Sequence, residues 1–155
     1  MGNGIDDGDR AVWDAFFAMQ MDFWRHLSRI LQTETGLSEP DYAILLALRD
    51  APGGRLRAYQ LSEVTDFEKS RLHHHLRRMS VRGLLTRESE ADDPRAAVAA
   101  ITPEGTAAIT AAVPKREEHI RRWLLDALDD GQKAALTDIS EAVLRGLKDK
   151  TASAE

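Results

Sequence analysis

The chain of 155 residues contains no cysteine. It can therefore form neither disulfides nor thiolate metal sites, and it cannot sense oxidants through sulfur. Any redox role would need a bound cofactor, and the residues point to none. No apolar run approaches the ~18 residues of a membrane span. The opening stretch from Met1 to Asp9 is polar and acidic, where a secretory leader would be basic and then apolar. The expectation is a cytoplasmic protein without a membrane partner. Also missing are a Gly-rich phosphate loop, a nucleophile elbow, a cysteine nucleophile and a metal-ligand helix motif, so no catalytic residue is nominated and no enzyme is expected. A basic excess is lacking too, because 21 lysines and arginines face 26 carboxylates for a net charge of −5. Taken over the whole chain, that balance argues against nucleic acid, whose phosphates call for clustered cations.

The distribution of charge reverses that argument. Residues 1–54 carry four basic and nine acidic side chains, residues 83–102 two and four, and residues 103–155 eight and ten. Residues 55–82 carry seven and three, so one short segment is locally +4. A confined DNA-contact surface on an acidic protein has this signature. An ordinary solvated basic helix has it as well.

With 43% hydrophobic residues, the chain is long enough to bury one sizeable core, and a single domain is expected. Val12, Phe16, Met19, Phe23, Leu27 and Ile30 recur at steps of three and four, which predicts a long amphipathic helix from about Asp9 to Glu34. Gly36 ends it, and Ser38 or Glu39 with Pro40 opens a second helix that Pro52-Gly53-Gly54 breaks. A short helix follows over Ala58 to Thr65, then a turn at Asp66-Phe67 and a longer helix from about Glu68 to Arg82 that stops at Gly83. Leu84–Ser89 and Ala96–Thr102 have room for two strands, with the acidic segment Glu90 to Pro94 as the hairpin tip. Thr102-Pro103 opens a helix running towards Leu128, in which Pro114 predicts a kink or break near Ala111 to Val113. A last helix spans about Asp130 to Lys148.

Two helices joined by a tight turn and followed by a hairpin have the order of a winged helix-turn-helix. At 100° per residue, Leu72, His75, Leu76 and Met79 share one side of the second helix, facing the core. Ser70, His74, Arg77, Arg78 and Val81 share the other, and Arg71, His74 and Arg78 form an outward stripe that could enter a major groove about 12 Å wide. Lys69 and His73 flank the stripe and join it as candidates for DNA binding.

Leu61-Ser62-Glu63-Val64, the run from Met79 to Leu85, Asp93-Pro94-Arg95 and Ile101-Thr102-Pro103-Glu104-Gly105 together resemble the MarR family of bacterial regulators. Glu68-Lys69-Ser70-Arg71-Leu72 with the histidine run after it is similar to a version common in actinobacterial members. The resemblance implies a mainly α fold with a small β wing: a winged helix-turn-helix lobe over 38–102 set inside a helical dimerisation frame made by 9–35 and 103–148. It also implies a homodimer on a pseudo-palindromic operator in double-stranded DNA, commonly acting as a repressor released by a small aromatic or anionic effector. By position, Ser70, Arg71, His74 and Arg77 fall on recognition-helix contacts. Arg95 falls on the wing arginine that reaches the minor groove, with Asp93 orienting it by a salt bridge. The sequence departs from the family pattern at Asp66, where a small residue or glycine is usual, and at Glu68, where a small hydroxyl residue is usual. Glu68 could read a cytosine amine or hold Arg71, and these alternatives stay open.

The run His73-His74-His75 invites a metal-site reading, but successive helical side chains diverge by 100° and cannot converge on one ion. Nor does any cysteine or carboxylate spacing support a site between His26 and His119, so no metal is expected. Trp13, Phe16, Phe17, Phe23, Trp24 and Tyr42 place most of the aromatics in the first third of the chain, where core and dimer seam explain most of them. Trp24, Arg29 and Tyr42 are the candidates for an effector pocket, offering an apolar wall, a cation and a hydroxyl. The competing classes are a winged-helix module that binds protein and, far behind it, a metal-dependent enzyme or metal sensor.

Overall fold

Helix ends fall where local capping chemistry puts them. The computed structural model describes residues 4–88 and 97–152. In chain order its elements are α1 (Asp7–Thr35), α2 (Glu39–Asp50), a 3-10 turn (Pro52–Gly54), β1 (Arg55–Arg57), α3 (Ala58–Thr65), α4 (Lys69–Val81), β2 (Leu85–Glu88), β3 (Val98–Ile101), α5 (Pro103–Ile120), a π-turn (Arg121–Leu125) and α6 (Asp130–Ala152). Asp6 caps α1 by accepting from the Asp9 N–H at 2.8 Å, and Gly36 closes it at φ 70°, a conformation glycine adopts without a Cβ clash. Ser38 and Asp41 form a reciprocal capping box at the start of α2.

The chain divides into two compact units, Met1–Arg116 and Glu117–Glu155. In the first, Leu31, Leu37, Ile44, Leu45, Leu48, Leu61, Leu72, Leu76, Met79, Leu85 and Ile109 form one continuous buried core. The three strands form an antiparallel sheet in the order β1-β3-β2, with Leu56 opposite Ala99 and Leu85 opposite Ile101. The second unit consists of the end of α5, the π-turn and α6, whose start is capped reciprocally by Asp129 and Gln132. Ile139, Val143, Leu144 and Leu147 of α6 are exposed.

Two features differ from the sequence-based expectation. The sheet has a third strand, Arg55–Arg57, too short for a period of two to register, with only Leu56 turned inward. Helix α5 runs unbroken through Pro114. The ring lies on an exposed side of the helix, where solvent can take the Thr110 carbonyl that proline cannot bond. The irregularity comes later, at Arg121–Leu125, where the Asp126 N–H reaches the Arg121 carbonyl at 2.8 Å. The expected hairpin tip, including Asp93 and Arg95, lies outside the described residues.

Candidate nucleic-acid interface

The site is built on α4, which both ends hold firmly. At its start the turn passes through Asp66 at φ 54°, a left-handed conformation that aspartate tolerates better than most non-glycine residues. Glu68 then folds its carboxylate back onto the helix, accepting from the Ser70 N–H at 3.1 Å and the Arg71 N–H at 3.2 Å, as well as from the Ser70 hydroxyl. Glu68 is thus the N-cap of α4, and it holds the backbone of Arg71. At the far end, the Gly83 N–H bonds the Ser80 carbonyl and the Leu84 N–H bonds the Met79 carbonyl, a Schellman closure with Gly83 at φ 74°.

These bonds pull the Glu68 carboxyl below its ordinary 4.5, the Ser70 hydroxyl contributing most, then the Ser70 and Arg71 N–H groups. A carboxylate with a depressed folded-state value stabilises the fold above its unfolded value, and that contribution is lost as pH falls through the folded value. The neutral isostere Glu68→Gln is therefore expected to lower the melting temperature at neutral pH. The deficit should shrink in acid, below about pH 4. Circular dichroism melts across pH check this, and a deficit independent of pH would show that the cap does not depend on charge.

The faces of α4 are as the helical period predicts. Leu72, Leu76 and Met79 are buried, and Ser70, Arg71, His74, Arg77, Arg78 and Val81 are exposed. His75 is intermediate, its ring 5.8 Å from that of Phe67, and burial pushes its pKa down, with Arg71, Arg78 and His74 adding to the effect against Asp41. Arg71 extends past the same phenyl ring, its guanidinium carbon 5.9 Å from the ring centre. Lys69 and His73 turn towards the sheet. With Arg87 of β2 they line a cleft of about 560 Å³, the Arg87 guanidinium 3.4 Å from the His73 imidazole. The three histidines accordingly diverge to different surroundings.

Not all cations of the basic segment face outward on the helix. Arg55 pairs with Glu88 across the sheet, and Arg82 reaches Asp41 at 2.6 Å.

The residues nominated for an effector pocket are only partly brought together. Trp24 and Tyr42 share one cation, but it is Arg116, whose guanidinium lies 5.8 Å from the Trp24 ring and 4.7 Å from the Tyr42 ring and pairs with Glu39 at 2.7 Å. Arg29 points elsewhere and lies 3.5 Å from the His26 ring. Sequence reasoning missed Arg116 and Glu39 because no local pattern links positions 24, 39, 42 and 116.

A helix-turn-helix followed by a small antiparallel sheet, with a cation-bearing exposed face on the second helix, defines a winged helix-turn-helix protein of the DNA-binding class. Residues 35–96 match the model of the MarR family. Over 100 residues the chain is 34% identical to the transcriptional regulator HosA of Escherichia coli, a match covering 64% of this chain and 73% of that protein. Two solved structures from Streptomyces coelicolor are similar throughout. The MarR family regulator AbsC has a TM-score of 0.82 at 25% identity, covering 95% of this chain and 99% of its own. Sco3205, solved in complex with DNA, has a TM-score of 0.82 at 28% identity, covering 93% and 94%. The chain belongs to the MarR family and is a DNA-binding transcriptional regulator.

Proposed function

We propose that this regulator works in the cytoplasm as a homodimer on a pseudo-palindromic operator, each protomer reading one half-site with α4. The observation that carries this reading is the exposed face of α4, where Ser70, Arg71, His74, Arg77 and Arg78 stand clear of the core on a helix capped at both ends. Lys69 and His73 flank that face and suit phosphate contacts, and Asp93 and Arg95 take the wing's part at the minor groove. Support for the dimer comes from each unit separately. Val12, Trp13, Phe16 and Phe17 on α1, and Ile139, Val143 and Leu147 on α6, leave about half or more of their surface exposed, an apolar expanse that a monomer in water rarely shows.

The regulator acts as a repressor that a small aromatic or anionic effector releases. Trp24 and Tyr42 form its apolar wall, and Arg116 fills the cationic role that the sequence assigns to Arg29.

Sedimentation of the intact chain at micromolar concentration tests this reading. A dimer is expected, and deletion of residues 1–30 should leave monomer or aggregate. A monomeric intact chain would remove the two-fold operator.

A further inference from the structure

Arg82 closes α4 and counts among the seven cations of the basic segment, yet its guanidinium is engaged by two acceptors within the protein. One nitrogen donates to Asp41 Oδ2 at 2.6 Å and another to the Gly36 carbonyl at 2.8 Å. Gly36 is the residue that ends α1, and Asp41 is the carboxylate of the box that starts α2, where it also accepts from the Ser38 N–H at 3.0 Å. A single planar side chain thus fastens the end of α4 to the end of α1 and the start of α2. Asp41 is 5% exposed, the only charged residue in the buried set among the described residues, so its bonds hold in surroundings where water competes little. Burial works to raise its pKa, but the Ser38 N–H, the Arg82 guanidinium and the Ser38 hydroxyl together hold it below the ordinary aspartate value.

We propose that Arg82 is a positioning residue: it does not contact DNA but sets the angle at which α4 meets the groove, acting through Asp41 and the Gly36 carbonyl. The inference rests on α4 being the reading helix. Base-edge hydrogen bonds tolerate little angular error, whereas phosphate contacts by long cationic side chains adjust. Loosening this fastening should therefore degrade specific binding more than random binding. The fork geometry matters as much as the charge, since lysine can satisfy one acceptor but cannot span both in plane.

The test uses the full chain, a duplex selected by the wild-type protein from a random-sequence library, and a scrambled duplex, titrated over a range of salt. Arg82→Lys and Arg82→Gln should each weaken the selected duplex by about tenfold, leave the scrambled duplex within about twofold, and keep the wild-type salt slope. Asp41→Asn should reproduce the effect, and the double variant Asp41→Asn with Arg82→Gln should lose no more than the worse single variant, as for two residues in one linkage. Circular dichroism separates this from global unfolding, and the lysine variant, altered only at a part-exposed site, keeps the test open if Asp41→Asn folds poorly. Full rescue by lysine, with a slope reduced by about one in the glutamine variant, would show a phosphate contact and overturn the proposal. So would unchanged specificity in both Arg82 variants. The combined variant Arg71→Ala, His74→Ala, Arg77→Ala and Arg78→Ala run alongside reports on α4 itself: if it too leaves specificity intact, the reading-helix premise fails as well.

Discussion

Replacing Gly105 with alanine should destabilise the protein by about 3 kcal/mol or more, at the upper end of what overpacking a core costs. Helix propensity alone predicts the opposite, since alanine is favoured over glycine inside a helix by about 1 kcal/mol. Gly105 lies buried in the first turn of α5. A Cβ there would sit 2.0 Å from the Leu84 carbonyl oxygen and 3.0 Å from a side-chain carbon of Ile101. The obstacle is backbone, and several bonds pin it. The Thr102 N–H donates to that same Leu84 carbonyl at 3.3 Å. The Thr102 hydroxyl donates to the Gly83 carbonyl at 2.6 Å while accepting from the Gly105 N–H at 3.0 Å. The glycine is required for close approach, because its φ is outside the left-handed range and conformational freedom is not at issue. Relieving the clash means moving α5 off the strand that follows α4, which breaks this knot of bonds and opens the core at Leu84 and Ile109. Urea unfolding of Gly105→Ala measures the loss. A change within about 0.5 kcal/mol, the range of ordinary surface substitutions, would show that the Leu84 backbone yields freely.

Gly105 also shows where sequence reading succeeds and where it stops. The motif Ile101-Thr102-Pro103-Glu104-Gly105 is recognisable as a string and marks a helix start, but the 2.0 Å approach that demands its glycine involves a residue from the opposite side of the wing. The same division holds elsewhere. Ser38, Gly36, Gly83 and the α3 span Ala58–Thr65 were legible because capping and turn chemistry act over four or five residues. The two faces of α4 were legible because a helix repeats its angle at every residue, which separates Leu72 and Met79 from Arg71 and His74 without knowledge of the rest. Arg82 read as one more cation, since its partners Gly36 and Asp41 lie more than forty positions away. Arg116 escapes a sequence reading for a similar reason, since it meets Trp24 and Tyr42 only through the packing of α5. Glu68 was intermediate. Its position at the helix start was plain, but whether its carboxylate faced a base, a side chain or its own backbone is a rotamer question, which the hydrogen bonds to Ser70 and Arg71 answer.

Arg71→Ala should remove most of the preference for operator over random DNA, a loss of about 1–3 kcal/mol of discrimination for one bidentate arginine–guanine contact, or roughly ten- to hundredfold in relative affinity. Among the cations of the α4 face, Arg71 is the one whose pose is prepared. Its backbone N–H is tied by Glu68 to the first turn, and its guanidinium extends along the half-buried Phe67 ring at 5.9 Å, within the usual range of a cation–π contact. The Phe67 carbonyl in turn accepts from the Ser62 hydroxyl at 2.7 Å, so the platform is anchored to α3. A guanidinium held on one side by an aromatic face gives up less freedom on meeting a base edge and presents its donors in a fixed plane, which is what a guanine's paired acceptors require. Lysine has neither the plane nor the stack, so Arg71→Lys should recover affinity for random duplex while recovering little of the preference. Phe67→Leu should lie between wild type and Arg71→Ala, because it frees the arginine without removing it. Fluorescence anisotropy on selected and scrambled duplexes at one salt concentration reads all three variants. An equal loss on both duplexes for Arg71→Ala, with full recovery by lysine, would make Arg71 a phosphate clamp and pass the reading of bases to His74, Arg77 and Arg78.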